Sequence, residues 1–209
     1  MIERDKEIRR WIDDNPKLVF TANVIADLII SNNGENQNSK SCYCIASRRL
    51  LTLANKKKLI GCKKLGVGLP NLYYSLDTGL PKQWQHQLVI AQFLGKLSVN
   101  RVKIIDFKLE QCFSKVRTDL VVDIEYNGAR YTILVEVDRQ GKSYNVQGYA
   151  NLIQEIKSGV IKFQYPVVLV SIAERLTKSE DCKPLFIQLE DDKIESIQPL
   201  LWTLQGIKR

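Results

Sequence analysis

At 209 residues, 44% of them hydrophobic and three of them Trp, the chain is too apolar for disorder and long enough for one large domain or two small ones. No apolar run reaches the length of a membrane span, and the charged start MIERDKEIRRWIDD has no signal-peptide core, so a cytoplasmic protein without a membrane partner is expected. The net charge of +8 is unevenly spread: residues 40–64 carry Lys40, Arg48, Arg49, Lys56, Lys57, Lys58, Lys63 and Lys64 and no acid, whereas residues 180–195 are acid-rich.

Taken in chain order, residues 2–14 read as a first helix with Ile8, Trp11 and Ile12 on one side and Pro16 after its end. Thr21 is the expected N-cap of a second helix with Val24, Ile25, Leu28 and Ile29 as its apolar stripe. The polar stretch SNNGENQNS (31–39) reads as a turn, and a third helix is expected from about Lys40 to Asn55. Its 3.6-residue repeat gathers Cys42, Ala46, Leu50, Leu53 and Ala54 on one face and Ser41, Cys44, Arg48, Thr52 and Asn55 on the other. An outward face of Arg, Ser, Thr and Asn suits base edges and phosphates. LIGCKKLG (59–66), GVGLPN and LYYSL (72–76) suggest a hairpin with lysines near its tip. Three helices and a basic hairpin describe a winged helix-turn-helix over residues 1–79, the alternative being a helical cap with a solvated lysine face.

From Pro81 a helix is expected to about Ser98, with His86, Ile90, Phe93, Leu94 and Leu97 on its inner stripe. This lone histidine reads as a core or inter-domain residue, which leaves no Ser-His-Asp chemistry. An odd count of five cysteines without CxxC spacing argues against a disulfide framework and against a zinc module. Next come a strand (103–110), a hairpin (117–138), a helix from about Ser143 to Lys157, a buried strand (166–173) and a last strand near 185–190. That order predicts an α/β fold with a mixed sheet over residues 80–209.

Asn127-Gly128 between two alternating runs is a strong signal for a two-residue type I′ turn. If Tyr126 closes on Ala129, Glu125 faces Arg130, Asp119 faces Glu136 and Arg117 faces Asp138. Opposed carboxylates are destabilising unless a cation, an arginine or a shared proton intervenes. Asp119, Glu136 and Asp138 could thus hold Mg²⁺ or Mn²⁺, at least through Asp119 and Glu136, and act as catalytic residues in phosphodiester cleavage. Neutralisation of Asp138 by Arg117, and of the others by Arg139 or Lys142, is the structural alternative.

The stretches SRRLLTLANKKKLI, YYSLDTG and HQLVIAQFL resemble the front half of the replication-relaxation family, and TDL, LVEVDR and the helix carrying Tyr149 resemble its second half. The resemblance covers most of residues 20–155. It implies DNA binding in plasmid replication and mobilisation, with a second half of PD-(D/E)xK nuclease type. It matches Asp119 to the first acidic position and Glu136 to the acid of the (D/E)xK element. Thr118 stands where a proline is expected and Asp138 where the lysine is expected, which implies a nuclease fold kept for binding. The expected function is therefore a double-stranded DNA-binding accessory protein of a plasmid or other mobile element, working in replication or in a conjugative relaxosome beside a relaxase or replication initiator. The contacting residues expected are Lys40, Ser41, Arg48, Arg49, Thr52, Asn55, Lys56, Lys57, Lys63 and Lys64. A metal-dependent nuclease or nickase is the alternative, and a homodimeric repressor a third. The apolar stretch around Trp202 is a candidate for packing or for association into a homodimer.

Overall fold

A computed structural model of the chain describes residues 2–30, 39–138, 145–173, 187–190 and 196–207. The expected turn at 31–38, the side chains of Arg139 and Lys142, and most of the acid-rich segment lie outside the described residues. The architecture is mixed α/β, and the chain divides into two compact units, Met1–Asn100 and Arg101–Arg209. No helix among the described residues is long and apolar enough to cross a membrane.

The first unit holds helices α1 (Glu3–Asp14), α2 (Ala22–Ile25, widening into a π turn over Ala26–Ile30) and α3 (Ser39–Leu51, continued by a π turn over Thr52–Lys56). Thr21 caps α2 as its residue type requires, its hydroxyl oxygen accepting the Val24 N–H at 3.4 Å. Val24, Ile25, Leu28 and Ile29 are all buried, so the stripe read from spacing is the packed face. Lys58 ends α3 in the left-handed region (φ 49°), where the Leu59 N–H reaches back to the Leu53 carbonyl at 3.0 Å and satisfies an otherwise orphaned acceptor.

Strands β1 (Gly61–Lys63) and β2 (Leu72–Tyr74) then pair antiparallel, and Phe20 adds a bridge to Tyr73. Helix α4 (Trp84–Val99) closes the unit, with Ile90, Phe93, Leu94 and Leu97 buried and His86 half-buried. Its place with the first unit, rather than after a break at residue 79, has a local cause. Gly95 lets it approach α2 so closely that a Cβ there would lie 3.2 Å from Asp27 Cβ, while Lys96 pairs with Asp27 at 3.1 Å.

The second unit is a five-stranded sheet in the order β3-β4-β5-β6-β7, from β3 (Lys103–Phe113), β4 (Val116–Tyr126), β5 (Ala129–Asp138), β6 (Val167–Ala173) and β7 (Ile187–Glu190). The β3-β4-β5 pairings are antiparallel, and β5-β6-β7 are parallel. Asn127 and Gly128 both have positive φ (50° and 75°), the conformation a type I′ turn needs at its two central positions. Between β5 and β6 lies α5 (Val146–Lys157), capped by Asn145, whose side-chain oxygen accepts the Gly148 N–H at 2.9 Å. It covers one sheet face, burying Tyr149 and Leu152 with Val116, Leu134 and Leu169. A last helix, α6 (Gln198–Gly206), buries Leu200, Leu201 and Leu204, and Leu204 offers its carbonyl to the Tyr131 hydroxyl at 3.1 Å. The stretch around Trp202 is thus mostly packing, with the indole itself 66% exposed.

Candidate functional site

The expected division of α3 is seen at eight of its ten positions, Thr52 and Ala54 being half-buried instead. Cys42, Ala46, Leu50 and Leu53 are buried, while Ser41, Cys44, Arg48 and Asn55 are exposed. Lys40, Lys56 and Lys58 are exposed on or beside the same helix, and Lys63 and Lys64 on the hairpin that follows. Thr52 is half-buried, and its hydroxyl donates to the Arg48 carbonyl one turn back at 2.9 Å, so it braces its own helix.

Arg49 and Lys57 differ from the rest of the expected set of DNA contacts, because Asp5 engages the charged ends of both, although Lys57 is exposed and Arg49 only half-buried. The Arg49 guanidinium meets the Asp5 carboxylate with two donors, Nε to Oδ1 at 2.6 Å and an Nη to Oδ2 at 2.5 Å, and Lys57 Nζ adds a third contact at 2.9 Å. Asp5 itself is fully buried. A carboxylate out of water is tolerable only with such charge-assisted partners. The Arg49 hydrogen bonds hold its pKa below the ordinary carboxylate range against the opposing effect of burial, and Lys57 adds to them. Asp5 pins the start of α1 to the end of α3, fixing the helix whose opposite face stays in solvent. The signal was present in the sequence. Asp5, Ile8 and Ile12 follow i, i+3, i+7 spacing, so the acid lies on the apolar stripe and needs a buried cation.

The acidic end of the sheet differs from its expected geometry. The β4-β5 ladder runs from Tyr126↔Ala129 to Leu120↔Val135, one step short of an Asp119–Glu136 pair. There the Val137 N–H donates to Asp119 Oδ2 at 2.8 Å. Glu136 Oε2 accepts the Tyr149 hydroxyl at 2.6 Å. Arg117 and Asp138 are not a ladder pair: the β4-β5 register ends at Leu120↔Val135, and the Arg117 guanidinium binds Glu110 at 2.7 Å.

Among the described residues no three His, Cys, Asp or Glu side chains gather so as to hold a metal ion, so the convergence of Asp119, Glu136 and Asp138 into a cation cage is not found. An oxygen of Asp119 and one of Glu136 are already committed to protein donors, which leaves fewer ligands for a hard cation. Tyr149 enters the site as a neutral donor. Burial pushes its phenol far up, and the neighbouring Glu136 and Asp119 carboxylates push it further. Its place opposite Glu136 follows from α5 crossing the sheet face, which strand alternation alone does not reveal.

No family model and no curated protein matches the chain. Among solved structures it is similar to the crystal structure of protein VC1899 from Vibrio cholerae, with 12% identity and a TM-score of 0.35. The match covers 97% of this chain and 49% of that one, so the chain spans about half of the other protein's length.

Proposed function

We propose that the protein binds double-stranded DNA through its first unit, which we read as a winged helix-turn-helix with α3 as the recognition helix and β1-β2 as the wing. The observation that carries this reading is the exposed face of α3 together with the hairpin. Arg48, Ser41 and Asn55 stand in solvent beside Lys40, Lys56, Lys58, Lys63 and Lys64, with no acid anywhere in residues 40–64. Such a face attracts a polyanion and carries the side chains that read base edges. On this reading the second unit is a PD-(D/E)xK-like body retained for binding. The role we assign is that of an accessory protein in replication or conjugative mobilisation of a plasmid or other mobile element, beside a relaxase or replication initiator.

The nuclease alternative gains no support from the acidic end of the sheet. Asp138 stands where the water-activating lysine is expected, and Asp119 and Glu136 are engaged by Val137 and Tyr149.

The test is a binding titration on duplex DNA across salt concentrations. With five of the exposed lysines, Lys40, Lys56, Lys58, Lys63 and Lys64, as phosphate neighbours, log K should fall against log salt with a slope of about −4.5. Arg48→Ala should weaken binding to the preferred site by about 1–3 kcal/mol more than binding to random duplex. Equal losses on both would make Arg48 a phosphate contact, and salt-independent or absent binding would end the DNA reading.

A further inference from the structure

The wing carries a feature that a purely electrostatic contact does not need. Between β1 and β2 the chain turns through Gly66-Val67-Gly68-Leu69, closed by the Leu69 N–H on the Gly66 carbonyl at 3.4 Å. Gly66 and Gly68 have φ of 154° and 78°, values that side-chain-bearing residues rarely adopt, so the turn depends on both glycines. The residue they present is apolar and wholly in solvent. Val67 has 106% of its reference exposure, and Leu69, followed by Pro70, has 57%. Scattered apolar residues on a surface are ordinary. Here, however, they form one tip, set by a glycine-defined turn, at the end of a hairpin whose rising strand leads through exposed Lys63 and Lys64.

We infer that this tip is a minor-groove wedge: Val67 and Leu69 enter the minor groove of bound duplex DNA and partly unstack one base step, while Lys63 and Lys64 hold the flanking phosphates. This rests on the DNA-binding reading above and deepens it. Charge complementarity selects the occupant, because the lysines beside the tip favour a polyanion and residues 40–76 contain no acid that would repel one. Apolar wedges of Leu or Pro type unstack base steps and kink DNA by roughly 20–90°. Pyrimidine–purine steps such as TpA give way most easily, so the wedge gives a preference for such a step without any base hydrogen bond from the wing.

The experiment uses the full chain and a 30-base-pair A·T-rich duplex with one central TpA step. The duplex carries 2-aminopurine beside that step and a donor–acceptor dye pair at its ends. The expected result is that binding raises 2-aminopurine fluorescence and shortens the end-to-end distance. Val67→Ser with Leu69→Ser, both on exposed side chains, should remove both signals while weakening binding by no more than about tenfold. Val67→Ser alone should reduce them. Binding by the natural chain with 2-aminopurine still quenched and the duplex straight would overturn the wedge and leave the DNA reading standing. Absence of binding to any duplex at low salt would overturn both. Unaltered DNA signals in the double variant, with a change from dimer to monomer, would make the tip a contact between copies of the chain and so overturn the wedge.

Discussion

The solvent face of α3 and the carboxylate end of the sheet are both crowded with like charge, and the protein treats them in opposite ways. On α3, Arg48 and the lysines beside it stand in water. At the sheet end, Asp119 and Glu136 are drawn into protein hydrogen bonds at 2.8 and 2.6 Å. The contrast shows that a charge cluster in a sequence becomes informative only once the partner of each charge is known. Arg48 and Arg49 make the point within one helical turn. Successive residues on a helix lie about 100° apart, which sends one guanidinium to solvent and the other to a buried carboxylate.

The largest expected effect breaks that contrast at Arg49. Arg49→Ala leaves Asp5 buried with only Lys57, and should cost about 3 kcal/mol in a urea titration. Arg48→Ala should alter stability by less than about 0.5 kcal/mol. Similar losses at the two positions would mean that Arg48 is also structural. Acid titration sharpens the same test. Asp5 has a folded pKa below its unfolded value of about 3.9, so its contribution is complete above the unfolded value and is lost as pH falls through the folded one. Unfolding free energy should therefore decline below about pH 4 in the natural chain, and that decline should flatten in Arg49→Met.

Next in size is the hydrogen bond that satisfies Glu136. Tyr149→Phe keeps the ring packed with Leu134, Leu152 and Leu169 but removes the donor to a carboxylate, which should cost about 2 kcal/mol. Adding Glu136→Met should return part of that loss, because removing both partners leaves no unsatisfied acceptor. If Tyr149→Phe proves neutral, the Tyr149–Glu136 hydrogen bond does not hold the sheet end together.

Much of the fold was legible because its periodicities are local. The hairpin register from Tyr126↔Ala129 inward, the Thr21 cap, the two faces of α3 and the β1-β2 pairing all depend on residues close in sequence. The errors lie where distant segments meet. The pair arithmetic fails for Arg117 and Asp138 because the β4-β5 ladder stops at Leu120↔Val135, beyond which Arg117 finds Glu110. The pairing of Arg49 and Lys57 with Asp5 was not legible, since Asp5 lies 44 and 52 residues away in sequence. Strand alternation could place Glu136 on a face but could not bring Tyr149 onto it, since that depends on where α5 crosses.

The smallest expected effect separates position from charge on the solvent side. Lys64 and Lys57 are both exposed in the same acid-free segment, but Lys57 Nζ is tied to the buried Asp5. Lys64→Ala should reduce the salt slope of duplex binding by about 1 and weaken binding evenly across sequences. Lys57→Ala should leave the slope within error while lowering stability. Net charge falls equally in the two variants, so a general attraction between a basic protein and DNA predicts equal slopes. Only an interface built from the outward cations predicts that they differ.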